Sequence, residues 1–358
     1  MKKLIIGVSS LVSFIIIMIC VVLLLYLTGI KKVSNDDNNI EFEVLEGNNY
    51  YNISSKLYEK GLIKSELWYK VYLKLNKPSN IQTGIYNLRK NMSVKEIVET
   101  LSKDGYNPNI VRITFKEGYN FYDFVDTIVN NTNNKEEDII NLLNNDEYIN
   151  GLIDSYWFLT EDIKNPQLYF PLEGYLYPNT YQFKDKNVSV EEIFNTLLNE
   201  TDKHLNSYKN KITESKYSIH QILTLASIVE LEGVSNAERS EIAGVFYNRL
   251  NNNMNLGSDV TTYYGVKVKL SERDLYTKEL NDDNGYNTRV SSMAGKIPIG
   301  PICNPSIDSI NAVLNPSNND YYYFVSDKNK KTYFTKTLVE HDKKISELKK
   351  DGLWFDYK

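Results

Sequence analysis

A carboxyl group at position 230 has the setting of a proton donor. Residues 218–249, SIHQILTLASIVELEGVSNAERSEIAGVFYNR, read as two short helices with one misplaced acid between them. Ser218 followed three residues later by Gln221 is a capping-box start, and Gly233 is a natural stop. At about 100° per residue, Ile219, Ile222, Leu223, Ala226 and Val229 share one apolar stripe, and Glu230 projects into it. Glu232 points the other way. A carboxyl on a packing face near a helix C-terminus loses water and meets the negative end of the helix dipole. Both effects favour the protonated form, which is what a general acid needs. The plainer alternative is a glutamate that curls out to solvent.

In the second helix, Ser235 and Glu238 form another capping box, and Glu238, Ile242, Val245, Phe246 and Arg249 share a face. An arginine on a buried face needs a partner, which Glu230, Glu232 or Asp259 can supply, so a charged pocket between the helices is expected. Asp259 is either part of that pocket or the cap of a short helix stopping at Gly265. Residues 286–289 (YNTR) and 297–305 (IPIGPICNP) are rigid loops rich in amide donors, or plain turn chemistry. Residues 170–181 (FPLEGYLYPNTY) are ordered and non-helical, either a turn that packs aromatic rings or the wall of a sugar-binding cleft offering Glu173. His204, His220 and His341 lack metal-ligand spacing, so zinc chemistry has no support. A formal charge of -5 gives no basic field for nucleic acid.

The elements that must position these groups begin at a membrane. Residues 4–30 carry no charge and are long enough to cross the ~30 Å hydrocarbon layer as one helix. A cleaved signal peptide fits less well, because the apolar run is too long and lacks a small-x-small site. Lys2 and Lys3 are balanced by Lys31 and Lys32, so the simplest orientation leaves residues 1–3 inside and the rest outside. Apart from Cys20 in the span, only Cys303 remains, so no disulfide can staple the exported part; this suits a bacterial envelope. Residues 31–40, with SNDDNN, form a polar tether that lifts the exported domains off the membrane.

Residues 41–105 read as a small α+β domain: a strand (EFEVLEG), helices at 53–58 and 66–75, a strand (GIYNL) and a helix opened by Ser93 and Glu96. Residues 46–53 (EGNNYYNI) are echoed by 117–124 (EGYNFYDF), as if a strand, turn and helix had been duplicated. Residues 106–358 form a larger α+β domain, with a helical, acidic leading part to residue 200 and a core from 201. A helix from Ser306, a hairpin and a basic amphipathic helix close it.

In chain order, LASIVE, AER, VFYNRL, SDVTTYYG, YNTR, PIGPICNP, YYYFV and EHD, together with LEGYLYPNTY, resemble the endolytic murein transglycosylases of the MltG (YceG-like) family from about residue 41 onward. The resemblance implies a single-pass anchor, a LysM-like domain at 41–105 and a catalytic domain at 106–358 that cuts peptidoglycan strands outside the cytoplasmic membrane. It assigns the catalytic acid to Glu230. Arg249, Asp259, Tyr286, Asn287, Thr288 and Asn304 would line or brace the substrate groove. Where the family usually reads Gln-Thr-Asp-Pro-Thr, this chain has Gly257, Ser258 and Val260 at three of the positions.

The implied reaction needs no metal or cofactor and gives 1,6-anhydro ends. A hydrolytic muramidase using Glu173 or Asp259 as second carboxylate, or a wall-binding scaffold, are the alternatives. The implied partners are glycan strands, the cell membrane and synthases of the elongation machinery, beside which the enzyme would terminate growing strands. Nucleic acid is not among them.

Overall fold

In the computed structural model, which describes residues 2–45, 47–103, 105, 109–270 and 272–354, the chain divides into two units, Met1–Asn109 and Ile110–Lys358. The first opens with α1 (Lys2–Gly29), of which Leu11–Gly29 is long and apolar enough to cross a membrane. The chain leaving α1 is not free at its start. Val33 and Ser34 donate backbone N–H groups to the Lys90 carbonyl, and Val94 donates to that of Ile30. Residues 35–39 then carry no helix or strand.

Beyond them lie β1 (Ile40–Val44), α2 (Ser54–Glu59), α3 (Glu66–Asn76), β2 (Gly84–Leu88) and α4 (Val94–Leu101), as the periodicities predict. The strands pair antiparallel with Phe42 opposite Tyr86, and Phe42, Leu57, Tyr69, Leu88 and Ile97 fill the core beneath. Ser93 and Glu96 close the expected capping box on α4.

The second unit runs β3 (Val111–Thr114), α5 (Phe121–Asn131), α6 (Glu136–Leu143), α7 (Asp146–Ser155), β4 (Thr180–Phe183), α8 (Val190–Leu205), α9 (Lys209–Thr213), α10 (Ile219–Glu232) and α11 (Asn236–Asn251). It ends with α12 (Asp259–Gly265), α13 (Thr277–Leu280), α14 (Ile307–Leu314), β5 (Tyr323–Ser326), β6 (Thr332–Thr335) and α15 (Leu338–Lys350). β3 pairs antiparallel with β4, and β5 with β6, so the fold is α+β with small two-stranded sheets. β4 begins inside the stretch that reads as an aromatic turn in the sequence. Its partner β3 lies far upstream, and nothing local announces the pairing.

The echo between the units goes deeper than expected. Glu46 lies outside the described residues, but Gly47 and Gly118 both turn the chain with left-handed φ, +80° and +76°. After each turn an asparagine accepts from the backbone: Asn49 from Asn52 at 3.0 Å, Asn120 from Asp123 at 3.2 Å. The side chains of Asn52 and Asp123 accept in return from the N–H groups of Asn49 and Asn120. Following the partner strands, residues 91–101 (NMSVKEIVETL) open α4 and residues 187–197 (NVSVEEIFNTL) open α8. The second unit therefore begins by repeating the first unit's strand, turn, helix and second strand-to-helix junction, with α6 and α7 where the first unit has α3.

α10 differs from expectation. Its residues 222–229 are all buried, including Thr224 and Ser227, so it is a central helix packed by α11, α12 and α14 rather than one with a single apolar stripe. Its polar side chains are satisfied inside: Ser227 donates to the Thr224 carbonyl at 2.7 Å and accepts from the Ile302 N–H at 3.0 Å.

Candidate active site

Three short-range signals build the frame. Ser218 with Gln221, and Ser235 with Glu238, close the two predicted capping boxes on α10 and α11, and Gly233 between them ends α10 by donating its N–H to the Val229 carbonyl. A side chain at Gly233 would press on Arg239, so the glycine lets the first turn of α11 fold back against the end of α10.

That turn supplies the partner for Glu230. Arg239 donates from Nη2 to Glu230 Oε1 at 2.9 Å, with the two side chains only 12% and 5% exposed. The other oxygen, Oε2, accepts from the Ser306 N–H at 2.9 Å, the Ser306 hydroxyl at 2.5 Å and the Ser309 hydroxyl at 2.7 Å. Ser306 is the N-cap of α14. The carboxyl group thus joins the end of one helix to the beginning of another, and the α14 N-terminus opposes the field of the α10 C-terminus. The reading of Glu230 as a side chain curling into solvent does not hold. The opposing helix end, 76 residues downstream, is invisible from α10 alone.

Of the candidate partners for Arg249, Glu230 pairs with Arg239 and Asp259 with Arg289 instead, which leaves Glu232, whose charge acts on Arg249 without a direct ion pair. Arg249 donates from Nε to the Tyr322 carbonyl at 2.6 Å and from Nη1 to the Leu256 carbonyl, with its guanidinium 5.3 Å from the Tyr323 ring centre. Burial pulls it below the usual arginine range, and Tyr323 and then Glu232 push the other way. Glu232 accepts from the Ser258 hydroxyl at 2.5 Å; burial raises its carboxyl, the Ser258 bond lowers it and Asp259 raises it again. Asp259 itself is exposed and paired with Arg289, at the first turn of α12, which ends at Gly265 as expected.

Four of the other residues expected to bind substrate are buried braces with their polar groups engaged. Tyr286 takes the Tyr169 N–H on its hydroxyl at 3.2 Å. Asn287 accepts from the Thr262 hydroxyl and donates to the Asp282 carbonyl, both at 2.8 Å. Thr288 accepts from the Ser258 N–H at 3.0 Å. Asn304 accepts from the Leu176 N–H at 2.9 Å and donates to Glu173 at 3.2 Å.

Glu173 is likewise closed in. It accepts from the Phe121 N–H and the Tyr264 hydroxyl at 2.9 Å each, and burial pushes its carboxyl up to about 8 against those hydrogen bonds. With Tyr175 and Leu176 also buried, residues 170–181 are the packed turn, and Glu173 is no wall of a sugar cleft and no second carboxylate within reach of a glycan.

Two groups that the sequence reading passed over lie near Glu230. The second copy of the strand-turn-helix unit brings Gly118 against it: a Cβ there would stand 3.3 Å from Leu231 and 3.9 Å from Glu230 Cγ. The turn is held by reciprocal backbone bonds, Gly118 N–H to the Asn304 carbonyl at 3.1 Å and Asn304 N–H to the Tyr119 carbonyl at 2.9 Å. Glu117, next to it, has a raised carboxyl because of burial first and the charge of Glu230 second. Beside this turn is a cavity of about 230 Å³ lined by Gly118, Asn120, Asp123, Leu231, Tyr263 and Lys269, among others. Its polar rim includes the Lys269–Asp123 ion pair at 4.0 Å. A wider hollow of about 460 Å³, lined by Tyr217, Tyr247 and Leu314 among others, contains none of these groups.

Residues 42–347 match the YceG-like family. The chain belongs to that family. It is 36% identical over 318 residues to the endolytic murein transglycosylase of Bacillus subtilis, covering 88% of this chain and 86% of that one. To the endolytic murein transglycosylase of Streptococcus pneumoniae D39 it is 30% identical over 88% of its own length, and it spans 59% of that longer protein. Among solved structures, the crystal structure of a YceG-like protein from Listeria monocytogenes aligns with a TM-score of 0.61 at 34% identity, covering 86% of this chain and 99% of that one. The motifs that carry the family resemblance fall on α10, α11 and α12, on the loops that brace them, and, at the end of the chain, on β5 and α15.

Proposed function

We propose that this YceG-like protein is a membrane-anchored endolytic transglycosylase of peptidoglycan with Glu230 as its catalytic acid. The observation that carries the reading is the Glu230 side chain itself: only 5% exposed, held by Arg239, Ser306 and Ser309, and packed near the Gly118 turn, which with Leu231 forms part of the cavity wall. The names of the relatives at 36% and 30% identity support the same substrate.

The protonated carboxyl gives its proton to the glycosidic oxygen between MurNAc and GlcNAc as the C1–O bond breaks. The carboxylate then takes the proton of the same sugar's C6 hydroxyl, whose oxygen bonds to C1 and closes a 1,6-anhydro ring. No water is consumed, and the intramolecular attack gains from proximity. The serine hydroxyls can donate or accept and so can hold the carboxyl in either protonation state. The Arg239 pair is the contact that must loosen while the proton is aboard.

In this reading α1 crosses the cytoplasmic membrane, residues 41–105 act as a LysM-like domain on the wall side, and the second unit works outside the membrane near the elongation machinery, terminating strands. Arg249 and the buried quartet Tyr286, Asn287, Thr288 and Asn304 serve as braces, and Asp259 stands at the surface.

The test is digestion of isolated peptidoglycan by the detergent-solubilised chain, with products identified by mass spectrometry. Anhydro ends from the wild type and none from Glu230→Gln are expected; anhydro ends undiminished in Glu230→Gln would overturn the assignment. Reducing ends would favour the hydrolytic reading. Its second carboxylate would then be Glu117, the one whose proton affinity responds to Glu230.

A further inference from the structure

The outer face of α3 is built unlike a surface meant for water. Leu67 and Leu75 are 63% and 67% exposed, and Trp68 and Val71 lie on the same side of the helix at spacings of three, four and eight residues. The opposite side, with Tyr69 and Leu73, is already buried in the core of the first unit. α3 therefore has two apolar faces, and only one is covered.

The face outside the core lies beside α1, which covers only part of it. Met18, Val22 and Tyr26 of α1 and Trp68, Val71 and Leu75 of α3 line an apolar groove of about 490 Å³. Tyr26 and Trp68 meet edge to face at 5.9 Å, and the Trp68 ring lies on Gly29, where any side chain would collide with it. Together with the bonds that tie residues 30, 33 and 34 to Lys90 and Val94, these contacts set the direction in which α1 leaves the first unit.

Helix length says where this groove sits. At 1.5 Å per residue the 28 residues of α1 are about 42 Å long, roughly 12 Å more than the hydrocarbon layer, so about eight residues are surplus. With Lys2 and Lys3 on the inner side, a span of about 20 residues from residue 4 ends near residue 23, so Tyr26 falls in the surplus at the α3 end, while Met18 and Val22 fall inside the span. One wall of the groove is thus a helix that enters the bilayer, and the other wall is an amphipathic helix flanked by Lys64, Lys70, Lys74 and Lys77. Aromatic rings at the outer end and lysines along the edge are the pattern of a helix lying in a lipid interface.

We propose that α3 lies in the outer leaflet alongside α1, with lipid acyl chains filling the groove between them, so that the first unit is seated on the membrane instead of being held away from it. This rests on the reading of α1 as a membrane span. The occupant is lipid because the groove continues the surface of α1 that lipid must already cover.

The test uses the full chain with Cys20→Ala, reconstituted into vesicles containing acyl-chain nitroxide lipid, with an environment-sensitive thiol probe at Leu75→Cys, Leu67→Cys or, as a control on α2, Glu59→Cys. Vesicle flotation is measured on the same samples, and circular dichroism checks the fold. The expected result is flotation of all three with quenching at 75 and 67 about twofold or more above that at 59. Flotation with equal quenching at all three positions would overturn the proposal and leave the anchor intact, as would thiol cross-linking of position 75 between copies. Failure to float would overturn both.

Discussion

The two copies of the strand-turn-helix device share their backbone and differ in what surrounds the turn. In the first unit Gly47 turns with nothing within 4 Å of where a Cβ would be; in the second Gly118 turns against Leu231 and Glu230. The local chemistry is the same, an asparagine exchanging hydrogen bonds with the residue three places on. The difference lies in the Asn304 bonds and the buried Glu173, which tie the second turn to the loop leading into α14 and to residues 170–181. A device that in one place only shapes a small domain has in the other been joined to a candidate active site. What a turn does here depends on its long-range neighbours.

The sharpest way to separate the copies is through Glu230. Glu230→Gln should lower transglycosylation by about 10²–10⁴-fold, the usual range for a general acid, and should also lower the melting temperature, because it leaves the nearly buried Arg239 without its ion pair; circular dichroism at assay temperature shows that the variant is still folded. No substitution in the first turn should approach this in an assay of soluble glycan fragments.

The next comparison is between the glycines. Gly47→Ala and Gly118→Ala both meet left-handed strain of roughly 1–2 kcal/mol. Only the second also pushes on Leu231, 3.3 Å away. Gly118→Ala should therefore reduce activity as well as stability, while Gly47→Ala reduces stability alone. Equal effects on activity would break the contrast.

Glu173 gives a pH signature to the second copy. Its folded carboxyl holds a proton up to about 8, whereas the unfolded chain releases it near 4.5. Stability from this proton is complete below the unfolded value and is lost as pH rises through the folded one. Between pH 5 and 8.5 the Tm of the wild type should fall further than that of Glu173→Gln, by on the order of a few degrees. Parallel curves would contradict the raised value. Smallest should be the loss of either asparagine: Asn49→Ala and Asn120→Ala should each cost about 1 kcal/mol in chemical denaturation.

The same contrast explains what could be read from the sequence. The capping boxes at Ser93, Ser218 and Ser235, and the elements of the first unit, depend on residues a few places apart. Position 230 stands out because an acid interrupts an apolar run. Its partners do not: Ser306 and Ser309 are 76 and 79 residues away, and choosing Arg239 over Arg249 depends on how α11 folds back at Gly233. Asn287 and Asn304 read as groove residues because amides in loops look available. Only the packing of α12 and residues 170–181 around them shows those amides buried and engaged as braces.

α10 has a consequence for how the molecule wears out. With its middle residues enclosed and its hydroxyls stitched to neighbouring backbone, its amides should be among the slowest in the chain to exchange with deuterated solvent, opening only when the whole second unit does. Glu230 rides near the C-terminal end of that helix, where its bonds to Arg239, Ser306 and Ser309 resist fraying. On heating, turnover should persist undiminished up to the melting transition and vanish with it.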